Sequence, residues 1–149
     1  MHREFTWQIR VYYEDTDAGE VVFYANYLKF MERARTEWLR KIGFDHNVLK
    51  EKYKLLFAVK NLTIDYIKPG RLDDLLTVTS ELLDSRKASL IFGQNIKNEN
   101  NELLSKAEVK IACINSKTLK ASPNLSNASS DTSQIAESST PGTSFTALA

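Results

Sequence analysis

At Tyr27 the hydrophobic period of this chain changes, and that change limits the folds open to it. Upstream, Phe5, Trp7, Ile9, Val11 and Tyr13 alternate with Thr6, Gln8, Arg10 and Tyr12, the period-two pattern of a strand with one apolar face. From Tyr27 onward, Tyr27, Met31, Ala34, Trp38 and Ile42 recur at steps of three and four, so they share one face of a helix. Lys29, Glu32, Arg33, Arg35, Glu37, Arg40 and Lys41 fill the rest, with Arg33–Glu37 and Glu37–Lys41 spaced as i,i+4 ion pairs. Asn26 is the expected N-cap and Gly43 the expected residue just past the C-terminus. Such a helix is about 24 Å long at 1.5 Å per residue, enough to cross a sheet.

Four strand-like runs follow, at 57–67, 75–83, 88–96 and 103–113, separated by Pro69-Gly70, by Asp84-Ser85 and by the polar hairpin signal Asn98-Glu99-Asn100-Asn101. One strand, one long helix and four strands on short turns predict an α+β fold, an antiparallel sheet with the helix packed on one face. After Ser122 the composition shifts to small, turn-prone residues such as Ser126-Asn127-Ala128-Ser129-Ser130, with no lysine or arginine. The expectation is therefore one folded domain over 1–122 and a low-complexity, disordered tail over 123–149.

Composition removes several function classes. The 149 residues suit a single domain, and a formal net charge of +1 offers no case for a general nucleic-acid or membrane-surface binder. The single cysteine, Cys113, excludes an intrachain disulfide or a multi-cysteine zinc site. No apolar run is long enough to span a membrane, and Met1-His2-Arg3-Glu4 leads straight into a strand pattern rather than a signal peptide. A cytoplasmic protein is expected, with no metal and no cofactor. Only His2 and His46 are present, neither placed for a serine–histidine or cysteine–histidine pair, and no Gly-x-Ser-x-Gly elbow or Walker loop occurs.

What remains is the segment Tyr12–Tyr27, which sets Asp15 and Asp17 in a turn between strand and helix. It fails as a calcium loop, because Gly19 falls one place early and Asn26 stands where a bidentate glutamate is needed. Two accounts stay open on these residues alone. One is a solvated turn whose acids sit favourably near a helix start. The other is an acyl-transfer site that pairs a carboxylate with free backbone N–H groups.

The run Tyr13-Glu14-Asp15-Thr16-Asp17-Ala18-Gly19, Val21-Val22, Tyr24, Asn26-Tyr27-Leu28, then Phe30-Met31-Glu32 and Ala34-Arg35, resembles the signature of hotdog-fold acyl-CoA thioesterases. The similarity is to the 4-hydroxybenzoyl-CoA thioesterase family and especially its YbgC-like branch. It extends through Tyr66-Ile67-Lys68-Pro69-Gly70 and Ser85-Arg86-Lys87-Ala88-Ser89, about Phe5 to Ser122. The resemblance implies an antiparallel sheet wrapped around one long central helix. It further implies hydrolysis of an acyl-CoA, or of an acyl carrier protein ester, to free acid and thiol.

By that resemblance Asp17 is the catalytic carboxylate, as nucleophile or as general base on water, and Asp15 shapes the turn. The backbone N–H of Tyr24 or a neighbour is the oxyanion donor. Lys68 and Arg71 at one turn, with Arg86, Lys87 and Ser89 at the next, form a candidate site for the phosphates of coenzyme A. Family members assemble as dimers or tetramers, so a homo-oligomer is expected. This chain departs from its relatives at Tyr24, where many YbgC-like members carry histidine, at Glu20, where glycine is usual, and in its tail. The competing class is a non-catalytic hotdog that binds acyl thioesters or serves in assembly. A pure binding module has no need for Asp17. A hydratase is disfavoured, since neither histidine is placed to join the acid.

Overall fold

The period change at Tyr27 is realised as one long helix, α1 (Asn26–Lys41), between a first strand, β1 (Phe5–Arg10), and a short helix, α2 (His46–Lys52). Four strands follow: β2 (Leu55–Tyr66), β3 (Leu75–Arg86), β4 (Ser89–Lys97) and β5 (Leu103–Asn115). A computed structural model describes residues 4–123, so the expected tail lies outside the described residues apart from Pro123. The strands form one antiparallel sheet in the order β1-β3-β4-β5-β2, which leaves β1 and β2 at its edges.

Alternation along the strands decides which face meets the helix. Leu76, Val78, Ser80 and Leu82 of β3 and Leu90, Phe92, Gln94 and Ile96 of β4 are all buried. They pack under Tyr27, Phe30, Met31, Ala34, Trp38 and Leu39 of α1, which are buried as well. Register shifts at Val59/Asn61 in β2 and Leu82/Asp84 in β3 mark bulges, and bulges bend strands and raise their twist. The result is a sheet curved about α1. Among the described residues no helix is long and apolar enough to cross a membrane.

Several local expectations needed correction. β1 ends at Arg10 rather than Tyr13; the chain then enters a single 3-10 turn, Tyr13–Asp15, whose Tyr13 is exposed. Asn26 is not the N-cap but the first helical residue, and Ala25 takes the cap position without any side-chain bond. The reason is tertiary: the Asn26 Nδ2 donates instead to the Asp15 carbonyl at 2.8 Å. Glu37 pairs with Arg40, three residues on, at 3.2 Å. At the other end Gly43, at φ 96°, closes the helix as expected, with Gly43 N–H on Arg40 O and Phe44 N–H on Leu39 O. α2 is an addition, capped by Asp45, whose Oδ1 accepts from Val48 N–H at 2.8 Å.

The largest correction is Arg35, a charged residue that lies buried against the sheet. Its guanidinium donates to Gln94 Oε1 at 2.8 Å, while Gln94 Nε2 donates to Met31 O at 3.0 Å and to Ser80 Oγ at 2.8 Å. Burial lowers its pKa to about 10, against a smaller opposing effect of Glu32. Arg35 Nε has no hydrogen-bond partner among the described residues.

Cys113 is fully buried in β5, and burial pushes its thiol up to about 12. The native chain should therefore take up no thiol reagent at pH 8, and one equivalent after denaturation in guanidinium. Rapid labelling of the native chain would contradict this packing.

Candidate active site

The acid-bearing segment is a small ribbon sewn to two neighbours. Thr16 bridges to Val22, Asp17 N–H donates to Val21 O at 3.0 Å, and Glu20 N–H returns to Asp17 O at 2.9 Å. On one side the Asp15 carbonyl accepts both Phe23 N–H, at 2.9 Å, and the Asn26 side chain. On the other, Val22 N–H donates to Gly70 O at 2.8 Å, Val21 bridges to Arg71, and Leu72 N–H donates to Glu20 O at 3.2 Å. These bonds hold the loop between the helix start and the Pro69-Gly70 turn.

The two aspartates differ within this frame. Asp15 Oδ2 accepts from Tyr12 N–H at 2.8 Å and closes the 3-10 turn. Asp17 is exposed, and its Oδ1 accepts from Gly19 N–H at 2.9 Å. A Cβ on Gly19 would stand 3.3 Å from that oxygen, so the close approach suits glycine. Asp17 Oδ2 has no protein partner among the described residues. One carboxylate oxygen is thus oriented and the other is left available.

Beside the loop, the amides of Tyr24 and Ala25 find no acceptor among the described residues. They sit immediately ahead of α1, where N–H groups lack intrahelical partners and the dipole favours negative charge. A groove of about 240 Å³ opens next to them, lined by Val22, Tyr24, Tyr27, Tyr66, Ile67, Lys68 and Pro69. Tyr27 is buried there and accepts Gly70 N–H at 2.9 Å; burial raises its hydroxyl above the usual phenol range. A larger concavity of about 510 Å³ lies on the sheet face away from α1, among Glu4, Asp65, Glu81, Lys106 and Glu108. None of the acid-loop residues lines it.

The basic candidates separate into two places. Lys68 and Arg71 flank the turn that carries the acid loop, just before β3. Arg86, Lys87 and Ser89 belong to the β3–β4 turn, at the other end of β3. β3 has twelve residues at about 3.3 Å each, so the two turns stand at its opposite ends, at most roughly 36 Å apart in one chain. Lys68 is bound to Glu102 at 2.6 Å, which holds that carboxyl below its ordinary range, and Arg86 lies 3.0 Å from Asp84. The Arg71 side chain meets no acid among the described residues. Sequence reasoning missed Tyr66, whose hydroxyl donates to Tyr24 O at 3.1 Å. It also missed the side-chain role of Asn26, although a polar residue one turn from Phe30 on the apolar face was a signal.

A curved antiparallel sheet around one long helix, with an acid loop sewn to that helix's start, defines a hotdog domain. The chain belongs to the thioesterase superfamily, whose family model matches residues 19–105, beginning two residues after Asp17. It is 50% identical over 110 residues to acyl-CoA thioesterase YbgC of Haemophilus influenzae, covering 74% of this chain and 80% of that one. It is 46% identical over 116 residues to acyl-CoA thioester hydrolase YbgC of Escherichia coli O6:H1, covering 78% and 86%. A solved structure of a probable thioesterase from Bartonella henselae superposes with a TM-score of 0.77 at 34% identity, over 81% of this chain and 98% of that one.

Glu20 adopts φ 61°, the left-handed region where glycine is free of strain. A side chain there costs about 1–2 kcal/mol, offset in part by glycine's larger loss of entropy, about 0.5–1 kcal/mol. Glu20→Gly should stabilise the chain by about 0.5–1 kcal/mol, read by urea denaturation. A destabilised variant would show that the Glu20 side chain contributes something its backbone does not explain.

Proposed function

We propose that this chain hydrolyses acyl-CoA thioesters to a free acid and coenzyme A, with Asp17 as the reacting carboxylate. The observation that carries this reading is the pairing of two features on one rigid loop. Asp17 Oδ1 is tied to Gly19 N–H while its other oxygen is unengaged, and two amides without acceptors lie just ahead of α1. A thioester carbonyl seated between them meets a base or nucleophile on one side and donors on the other. Asp17 either attacks the carbonyl carbon or takes a proton from a water that does. In both routes the carbonyl oxygen gains negative charge, which N–H groups and the helix dipole stabilise. Collapse breaks the carbon–sulfur bond, and the thiol leaves.

Assignment of the phosphates to Arg71 follows from its place beside the acid loop and its lack of an acid partner. Lys68 is a weaker candidate, because Glu102 already neutralises it. Arg86, Lys87 and Ser89 remain a second basic turn for the same ligand. A carrier-protein ester presents the same thioester and is a second possible donor. A single buried cysteine suits a cytoplasmic setting. No cofactor enters the scheme.

We further propose that the working form is a homo-oligomer. The outer edge of β2 has no strand partner in the sheet, and Phe23, Tyr24, Tyr66 and Ile67 leave apolar surface exposed beside the groove. Light scattering on the full chain should give at least twice the mass of one chain. A well-behaved, active monomer would remove this part.

The enzymatic reading is tested by thiol release from short, long and aromatic acyl-CoAs and an acyl carrier protein ester. The wild type should turn over at least one of them, and Asp17→Asn should lower kcat by about 10²-fold or more. Arg71→Met should raise KM about tenfold for CoA esters with kcat nearly unchanged. No turnover across the panel would favour a non-catalytic thioester-binding hotdog instead. Turnover unaffected by Asp17→Asn would keep the reaction and discard the site.

A further inference from the structure

Two consecutive peptide planes precede α1, and each is held through its carbonyl. The Phe23 carbonyl accepts Asn26 N–H at 2.8 Å, and the Tyr24 carbonyl accepts the Tyr66 hydroxyl at 3.1 Å. In a planar trans peptide the C=O and the following N–H point in opposite directions. Holding the first carbonyl therefore aims the Tyr24 N–H, and holding the second aims the Ala25 N–H. Neither N–H has an acceptor among the described residues.

The two anchors differ in origin. Asn26 belongs to the helix itself, so the first plane is set by local structure. Tyr66 is the last residue of β2, 42 positions along the chain from Tyr24, so the second plane is set by the fold. Its ring is placed by neighbours, edge-on to Tyr24 at 6.1 Å and tilted against Tyr27 at 5.6 Å. Tyr27 is in turn tied to Gly70 N–H. Yet Tyr66 is nearly half exposed, so this bond lies at the surface rather than in the core. Such a bond adds little to stability and much to geometry.

We infer that Tyr66 is a positioning residue, whose hydroxyl holds the Tyr24–Ala25 peptide so that the Ala25 N–H serves as a second oxyanion donor beside that of Tyr24. The inference rests on the site reading above and deepens it. Preorganised donors stabilise the developing oxyanion without reorienting during the reaction. Without the hydroxyl, the Tyr24 carbonyl is free to rotate and the Ala25 N–H loses its aim. Substrate binding is unaffected, because the loss falls on the transition state.

The test is Tyr66→Phe, which keeps the ring and removes only the donor. Its kcat should fall about tenfold while KM and the melting temperature stay close to wild type. The backbone amide resonance of Ala25 should shift in the ligand-free protein. Tyr66→Trp, which fills the space without a matching hydroxyl, should not restore kcat. Unchanged kcat in Tyr66→Phe, with turnover still lost in Asp17→Asn, would overturn this inference alone. A wild type with no turnover on any thioester would remove the site reading and this inference together. A fall in KM-controlled binding with kcat intact would assign Tyr66 to substrate contact and overturn the positioning role.

Discussion

A buried guanidinium sets how α1 lies on the sheet. Arg35 is among the costliest groups to hide from water, and among the described residues no carboxylate bonds to it; its hydrogen-bond partner is Gln94, with the dipoles that Gln94 gathers from Ser80 and the Met31 carbonyl. Apolar packing alone would tolerate a helix shifted along its groove, since many hydrophobic pairings are nearly equivalent. Arg35 would not: moved by one turn, it would lose Gln94 and stand unpaired. The polar contact selects one register, and the apolar stripe then supplies most of the adhesion. From that register the helix start falls beside Gly70 and Tyr66, and the rest of the site follows.

The acid loop is held by backbone bonds far more than by side chains. Its carbonyls and amides are used by Val21, Phe23, Gly70 and Leu72, so the turn needs no side-chain bond from Ala18 or Glu20. That explains how Glu20 occupies a left-handed position without dismantling the turn. The same bonds hold the carboxylate and the amides without acceptors on one loop, the arrangement on which the proposed acyl transfer depends.

How much of this was legible depended on whether the signal was local. β2 to β5 and α1 each announced themselves by period, because alternation and three-four spacing come directly from which face is buried. Gly43 was readable for the same reason: a left-handed C′ position needs almost no context. Arg35 was not, since its burial depends on Gln94, 59 positions away. Asn26 looked like a cap because caps are chosen from the same residue types, but a carbonyl 11 positions back offered it a better partner. The Tyr66 contact has no sequence signature at all. The separation of the basic turns, by contrast, was available from simple strand arithmetic: the two connections that flank one strand must stand at its opposite ends.

β3 is in this sense a ruler built into the chain. Its twelve residues place Arg71 and Lys87 at the two ends of a rod that no single side chain can span. A ligand too short to reach both turns of one chain can touch both only by lying against two copies of the protein, and the amount bound would then rise with the square of the chain concentration below the assembly threshold. For a ligand that touches one turn of one chain, the amount bound would rise with the first power of that concentration. The order of the concentration dependence thus reads out how many chains build one binding site, independently of any assay of turnover.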